Sequence, residues 1–186
     1  MSKLVYITNV SLDGYIEDAH GNFDWTDPSD EYFAFITDLL RPAGTYLYGR
    51  RLYETMAVWE TDPALAAQSE LMSDFARVWQ AANKVVYSTT LPEVSNAKTR
   101  LERTFDPDAI RALKASATDD LTVGGANLAA HAFRAGLVDE CQLFIHPVIV
   151  GAGKSSLPRD VRADLELLDE RRFGNGVLYV RYRVAS

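Results

Sequence analysis

The run Leu121-Thr122-Val123-Gly124-Gly125-Ala126-Asn127-Leu128-Ala129-Ala130-His131-Ala132-Phe133 limits most severely what this chain can fold into. Three β-prone residues run straight into a glycine pair. Beyond the pair, Ala129, Phe133 and Leu137 recur every fourth residue, the period of one helix face. A strand turned into a helix through Gly-Gly leaves the first helical N–H groups open, with no Cβ to hold a ligand away. The aligned peptide dipoles favour a negative group there. Spacing alone leaves two readings open: a phosphate seat, or a tight turn that needs one permissive residue.

Strand and helix signals alternate along the rest of the chain. Residues 3–10, 45–48 and 84–87 read as short strands, 100–105 as a minor one, and 141–150 as a long apolar strand interrupted at His146-Pro147. Helical periodicity covers 28–40, 63–82 and 106–117, and a further helical stretch opens at Arg50. Asp27-Pro28, Asp62-Pro63 and Asp106-Pro107 each offer a capping side chain before a proline suited to the first helical turn. Strands at 165–173 and 177–184 are joined by the hairpin signal Gly174-Asn175-Gly176. This order predicts one α/β domain over residues 1–186, with a mixed, mostly parallel sheet flanked by helices and a terminal antiparallel hairpin.

The apolar fraction, 47%, supplies enough side chains for a substantial core. A formal net charge of -7 argues against nucleic acid and anionic membranes as partners, though not against a small anion. Cys141 is the only cysteine, so no intrachain disulfide can form and a reducing, cytoplasmic setting is expected. Three scattered histidines, His20, His131 and His146, make a Cys/His metal site an unpromising reading. The apolar run near the amino terminus is too short for a signal peptide or a membrane span.

Three loops follow strands: Gly49-Arg50-Arg51, Ser88-Thr89-Thr90 and Gly124-Gly125. In an open α/β sheet, ligands sit beyond the carboxyl ends of the strands, so these loops are placed to converge. Together with Ser11-Leu12-Asp13-Gly14-Tyr15-Ile16, Tyr48-Gly49-Arg50-Arg51-Leu52-Tyr53-Glu54, Gly136-Leu137-Val138-Asp139-Glu140 and Pro147-Val148-Ile149-Val150-Gly151-Ala152-Gly153, the pattern resembles the dihydrofolate-reductase-like superfamily. Within it, the chain is similar to the reductase domain of the riboflavin-biosynthesis deaminase/reductases and their stand-alone relatives. The resemblance implies a dihydrofolate-reductase-like fold with about eight strands, NADPH as cofactor, and often a homodimer. It places the cofactor's pyrophosphate on Gly124, Gly125, Ala126 and Asn127, its adenosine phosphate on Gly49, Arg50 and Arg51, and its adenosine end along Ser88 and Thr89. An arginine suits a 2′-phosphate because it offers two parallel N–H bonds.

Two positions depart from that pattern. Leu52 stands where many relatives carry Thr, and Val123 where the riboflavin-pathway reductases usually carry Glu. No His-x-Glu with a paired cysteine motif of a deaminase is present.

Hydride transfer asks little of a protein beyond holding two rings together, excluding water and relaying one proton. Asp13, after the first strand, is one candidate acid; a turn aspartate is its other reading. Glu31, in the first turn of a helix, is the second, and a helix-dipole carboxylate is its other reading. Trp25 and Tyr32 are candidate walls for a flat heterocycle. The function so implied is an NADPH-dependent reductase of a small heterocycle, resembling 5-amino-6-(5-phosphoribosylamino)uracil reductase. A dihydrofolate or pterin reductase and a non-catalytic NADP(H)-binding protein are the alternatives. Apolar residues on both sides of 141–150 and of the terminal hairpin predict that a second copy covers this part of the sheet.

Overall fold

Strands buried on both faces need helices above and below them, and the central strands of this chain are of that kind. The computed structural model describes residues 2–185. The elements run β1 (Leu4–Ser11), β2 (Tyr15–Asp18), α1 (Asp30–Leu40), β3 (Ala43–Gly49), α2 (Arg50–Met56), α3 (Val58–Thr61), α4 (Pro63–Ala66) and α5 (Glu70–Ala81). They continue β4 (Asn83–Tyr87), β5 (Thr99–Glu102), α6 (Pro107–Ser116), β6 (Asp120–Gly124), α7 (Ala126–Arg134), β7 (Glu140–His146), β8 (Gly153–Ser155), β9 (Leu165–Arg172) and β10 (Leu178–Val184). One eight-stranded sheet has the order β5-β4-β3-β6-β1-β7-β10-β9. The first six strands are mutually parallel, and β10 and β9 close the sheet antiparallel. This is the expected fold, dihydrofolate-reductase-like with a terminal hairpin.

Three apolar clusters hold the layers together. Leu4, Tyr6, Leu47, Leu121 and Val123 pack under α6 and α7 with Ile110, Leu128, Ala129 and Ala132. Tyr46, Tyr48 and Val86 pack on the other side against Phe75 and Trp79 of α5. Phe144 and Tyr179 lie against α1 through Tyr32, with Phe35, Ile36 and Leu39 alongside.

Several boundaries differ from expectation, each for a local reason. Asp27-Pro28 does not start α1; Ser29 caps it, accepting from the Tyr32 N–H, and Asp30 and Glu31 fill the first turn. The single helix expected over 63–82 is two. Asp62 caps only the short α4, and Ser69 restarts the chain as α5. Asp106-Pro107 alone behaves as expected for a full-length helix. The strand expected over 141–150 ends at His146, because Pro147 has no N–H to continue the ladder. The minor strand is Thr99–Glu102. Two strands were not anticipated: β2 and β8 pair antiparallel as a separate ribbon. They cross so closely at Gly153 that a Cβ there would stand 1.8 Å from the Glu17 carbonyl oxygen.

Candidate active site at the carboxyl ends of the strands

The helices divide by how they begin. Ser29, Asp62, Ser69 and Asp106 cap α1, α4, α5 and α6 with side-chain oxygens. By contrast α2 and α7 begin at Gly49 and Gly125, with no side-chain cap at either. Their strands are neighbours, Tyr48 pairing with Gly124, so the two uncapped starts face each other. A Cβ on Gly125 would be 3.7 Å from the Gly49 nitrogen. Gly125 adopts φ 94° and ψ 123°, a conformation that side chains resist. The result is a small concave seat with open backbone N–H groups, suited to an anion.

Gly124 does a different job from Gly125. It is buried, and a Cβ on it would fall 2.3 Å from Leu52 Cδ2. Leu52 therefore lies over Gly124 as an apolar cover, where a threonine would have offered a hydroxyl. Gly125 and Asn127 remain reachable, while Ala126 is buried. Val123 is 1% exposed inside the core under α6 and α7.

Arg50 joins two of the loops. Its guanidinium donates to Thr90 Oγ1 at 2.8 Å and to Glu54 Oε1 at 2.9 Å. Ser88 shapes the second loop, its hydroxyl accepting from the Thr90 and Leu91 N–H groups at 3.2 and 3.0 Å. Thr89 is exposed beside it. Arg103 braces the same loop from outside through the carbonyls of Ser88, Leu91 and Pro92. Arg51 turns away to Glu17 of β2 at 3.0 Å, with Gly21 close above it. Thr90 was legible only as part of its loop, and Arg103 and Glu17 not at all, because each works through a partner distant in sequence.

β1 outruns β6, and β7 keeps pace with it. β1 pairs with β6 only through Leu4, Tyr6 and the residue between, but with β7 as far as Ser11 opposite His146. Its edge facing β6 has no strand partner from Ile7 to Ser11, an overhang of about 13 Å. The seat at Gly49 and Gly125 thus lies at the foot of a wall made by the ends of β1 and β7.

Both candidate acids are engaged on that wall. Asp13 accepts from Ser11 Oγ at 2.7 Å, from the Val150 N–H at 3.2 Å and from the Gly151 N–H at 2.7 Å. The Ser11 bond, aided by those backbone N–H groups, lowers its pKa. It is an ionised clasp between the turn after β1 and the loop after β7. Glu31 accepts from Arg171 at 2.7 Å and from the Gly174 N–H at 3.3 Å, tying α1 to the terminal hairpin. Its pKa is lowered by Arg171. Arg171 in turn stacks over Phe35 and Phe173. Both carboxylates thus hold loops in place, Asp13 the turn after β1 and Glu31 the terminal hairpin.

Trp25 and Tyr32 come together as expected of a shared wall, around a residue the sequence reading passed over. The Trp25 and His146 rings meet edge-on at 5.5 Å between centroids, and Tyr32 lies 6.0 Å from His146. Tyr32 is 4% exposed and its hydroxyl donates to Asn9. Burial pushes that hydroxyl's pKa up to about 12. Among the described residues, no three of His, Cys, Asp and Glu are grouped to hold a metal ion. Among the described residues, no helix is long and apolar enough to cross a membrane.

Two shallow recesses lie at the opposite, amino end of the sheet, one by Arg41, Asp74 and Arg77, the other by Lys84 and Lys98. Their charges are already spent. Asp74 pairs with both arginines, and the two lysines donate to carbonyls of Trp79, Ala81 and Ala82. The chemistry-bearing loops are at the other end.

Residues 2–179 match the family model of the RibD C-terminal domain. The chain belongs to this family. It is 31% identical over 184 residues to the uncharacterized protein YyaP of Bacillus subtilis (strain 168), covering 97% of this chain and 94% of that one. Its fold matches a protein provisionally assigned to riboflavin biosynthesis in Shewanella sp. PV-4, with TM-score 0.76, 19% identity and 99% of each chain covered. It also matches a Thermotoga maritima diaminohydroxyphosphoribosylaminopyrimidine deaminase/5-amino-6-(5-phosphoribosylamino)uracil reductase, with TM-score 0.66 and 16% identity. That match covers 99% of this chain and 57% of the larger protein.

Proposed function

We propose that this member of the RibD C-terminal domain family is an NADPH-dependent reductase of a small planar heterocycle, of the kind represented by a ribosylated aminouracil. The observation that carries the reading is the meeting of two glycine-started helices, Gly125 against Gly49, beside Arg50. The residues fit the cofactor. Gly125 and the first N–H groups of α7 would receive the pyrophosphate, and Arg50, held toward Thr90, the 2′-phosphate. Bound there, NADPH supplies the hydride. The chain's own part is to hold the two rings against the β1 and β7 ends and to exclude water with the Asp13 clasp and the Trp25 loop. Val123 takes no part in ligand binding, since its side chain faces the core.

The test is cofactor discrimination. Arg50→Ala should weaken NADPH binding about tenfold, the loss of one charge-assisted contact at a half-exposed site, and leave NADH unchanged. Equal weakening of both cofactors, or of neither, refutes the assignment. The engagement of Asp13 and Glu31 favours one second reading, NADP(H) binding without turnover. Binding of NADPH with no oxidation by dihydrofolate or by pyrimidine heterocycles would select it.

We further propose that the protein works as a homodimer through the sheet face opposite α1. By register, Leu178, Val180, Tyr182 and Val184 share that face with Leu165 and Leu167 of β9. Leu165, Leu167 and Leu178 are 45%, 50% and 46% exposed. Glu170 and Arg172 stand on the same face opposite Val180 and Leu178, so a two-fold axis could set unlike charges against each other.

A further inference from the structure

Around the end of β7, a set of polar side chains has a bonding pattern that the roles described so far leave unexplained. Asn9 Oδ1 accepts from the Tyr32 hydroxyl and also from His146 Nε2, the latter at 3.0 Å. A carboxamide oxygen offers only lone pairs, so both partners must bring the proton. His146 is thereby fixed with its hydrogen on Nε2 and a bare lone pair on Nδ1. The ring is 2% exposed; Nδ1 makes no hydrogen bond among the described residues but is not fully buried, so it keeps a small contact with solvent. Trp25, edge-on to it at 5.5 Å, carries an Nε1–H that is fully buried and donates to nothing. Native interiors leave few buried donors unpaired, and this one adjoins a ring that carries a free acceptor.

A donor beside an acceptor complements an N–H beside a carbonyl, the lactam edge of a ring. We propose that His146 and Trp25 read that edge of the heterocycle, His146 Nδ1 accepting from its ring N–H and Trp25 Nε1 donating to its carbonyl. Asn9 and Tyr32 are positioning residues that hold the imidazole in the accepting tautomer. The assignment rests on the reductase reading above and names the side chains that would recognise its substrate. Position agrees with it. His146 ends the wall, two strand spacings, or roughly 10 Å, to the side of the glycine seat. Trp25 stands on the irregular stretch between β2 and α1, outside any helix or strand. Burial lowers the His146 pKa, which keeps the ring neutral and able to accept; the nearby Asp27 carboxylate acts in the opposite sense.

The probes are uracil and its doubly N-methylated derivative, which keeps the carbonyls and loses every ring N–H. Binding is measured by calorimetry without cofactor. Wild type should bind uracil about tenfold or more tightly than the methylated ring, since the analogue brings no N–H to the His146 acceptor and sets a methyl group in its place. In His146→Gln the amide reaches the Nε2 position, keeping the Asn9 bond but leaving the Nδ1 position empty. Uracil binding should fall to the level of the methylated ring, with the melting temperature held within a few degrees. In His146→Asn the amide reaches the Nδ1 position, and part of the discrimination should return. Trp25→Phe keeps a ring in place without the donor and should weaken uracil several-fold. Equal binding of the two rings by wild type, no uracil binding at all, or full discrimination by His146→Gln would overturn the proposal. NADPH titrated into wild type and His146→Gln forms the separate arm. Equal affinity is expected, and failure of wild type to bind NADPH would sink the reductase reading while the uracil comparison still decides this one.

Discussion

The glycine pair is a sharp place to test how the site is built, because its two members should fail in different ways. An alanine methyl at Gly124 would stand 2.3 Å from Leu52 Cδ2 and 3.3 Å from Tyr48 Cδ1. Carbon atoms pack at about 3.5–4.0 Å, so the Leu52 side chain must retreat by about 1.2 Å or more. Overpacking of this kind costs roughly 1–3 kcal/mol. Leu52 is half-buried against the α5 cluster, so Leu52→Ala alone costs less than the 2–5 kcal/mol typical of a fully buried leucine, about 1–2 kcal/mol. In the double variant the new methyl enters the space that Leu52 vacates. Its cost should fall short of the sum of the single costs by on the order of 1–2 kcal/mol. Gly125→Ala meets nothing closer than 3.7 Å, but it is strained by φ 94°, roughly 1–3 kcal/mol that Leu52→Ala does not relieve. Urea denaturation of the five variants reads all of this. Additive costs in the Gly124→Ala/Leu52→Ala pair, or a neutral Gly124→Ala, would show that Leu52 does not cover Gly124. With the stable double variant in hand, NADPH affinity should be unchanged, whereas Gly125→Val should abolish it.

Two further predictions concern the rest of the molecule. Burial opposes ionisation of Glu140, but bonds from Arg181 and Lys3 outweigh it and hold its pKa at about 2, below the ordinary glutamate value of 4.5. Its contribution, on the order of 3 kcal/mol, is complete above pH 4.5 and lost as the pH falls through 2. Glu140→Gln should flatten the fall in stability across that window, and an unchanged slope in chemical denaturation would refute the assignment. On the sheet face, Leu167→Glu combined with Leu178→Lys should convert a dimer of 20.7 kDa chains into monomers without lowering the melting temperature. A wild type that already sediments as a monomer at micromolar concentration removes the dimer.

The fold was legible because it depends on periodicity. Strand and helix periods alternate cleanly from Thr45 to Arg134, and Gly174-Asn175-Gly176 turns as a hairpin, Phe173 and Val177 closing it through a backbone bond. The glycine seat was legible too, since a missing side chain at a strand end is a local signal. What stayed hidden are the residues defined by a distant partner. Asp13 and Glu31 were legible as candidate acids or as a turn aspartate and a helix-dipole carboxylate, but not as clasps, because the Val150 and Gly151 N–H groups and Arg171 that engage them lie about 140 residues away. His146 looked like an interruption in an apolar strand. Only the parallel pairing of β1 with β7 brings it level with Ser11 and within reach of Asn9. The ribbon of β2 and β8 was missed because four and three residues carry no usable period.

With both carboxyls engaged in loop-holding bonds, the chemistry leans most on positioning. Hydride addition to a polarised ring leaves one proton to be supplied, and the step that needs the protein most is holding the acceptor carbon against the donor. The architecture is suited to that division. The seat at the foot of the wall comes from three strands that stop early, β3, β6 and β4, and from helix starts that no side chain fills. The wall comes from β1 and β7, whose extra length is stiffened at its tip by the Asp13 clasp to Val150 and Gly151. Because β1 belongs to both parts, pairing with β6 below Ile7 and with β7 up to its end, the distance between seat and wall is set by one strand's rigidity. A ring bound at His146 and a dinucleotide bound at Gly125 would then be held in register without either loop having to close on the other.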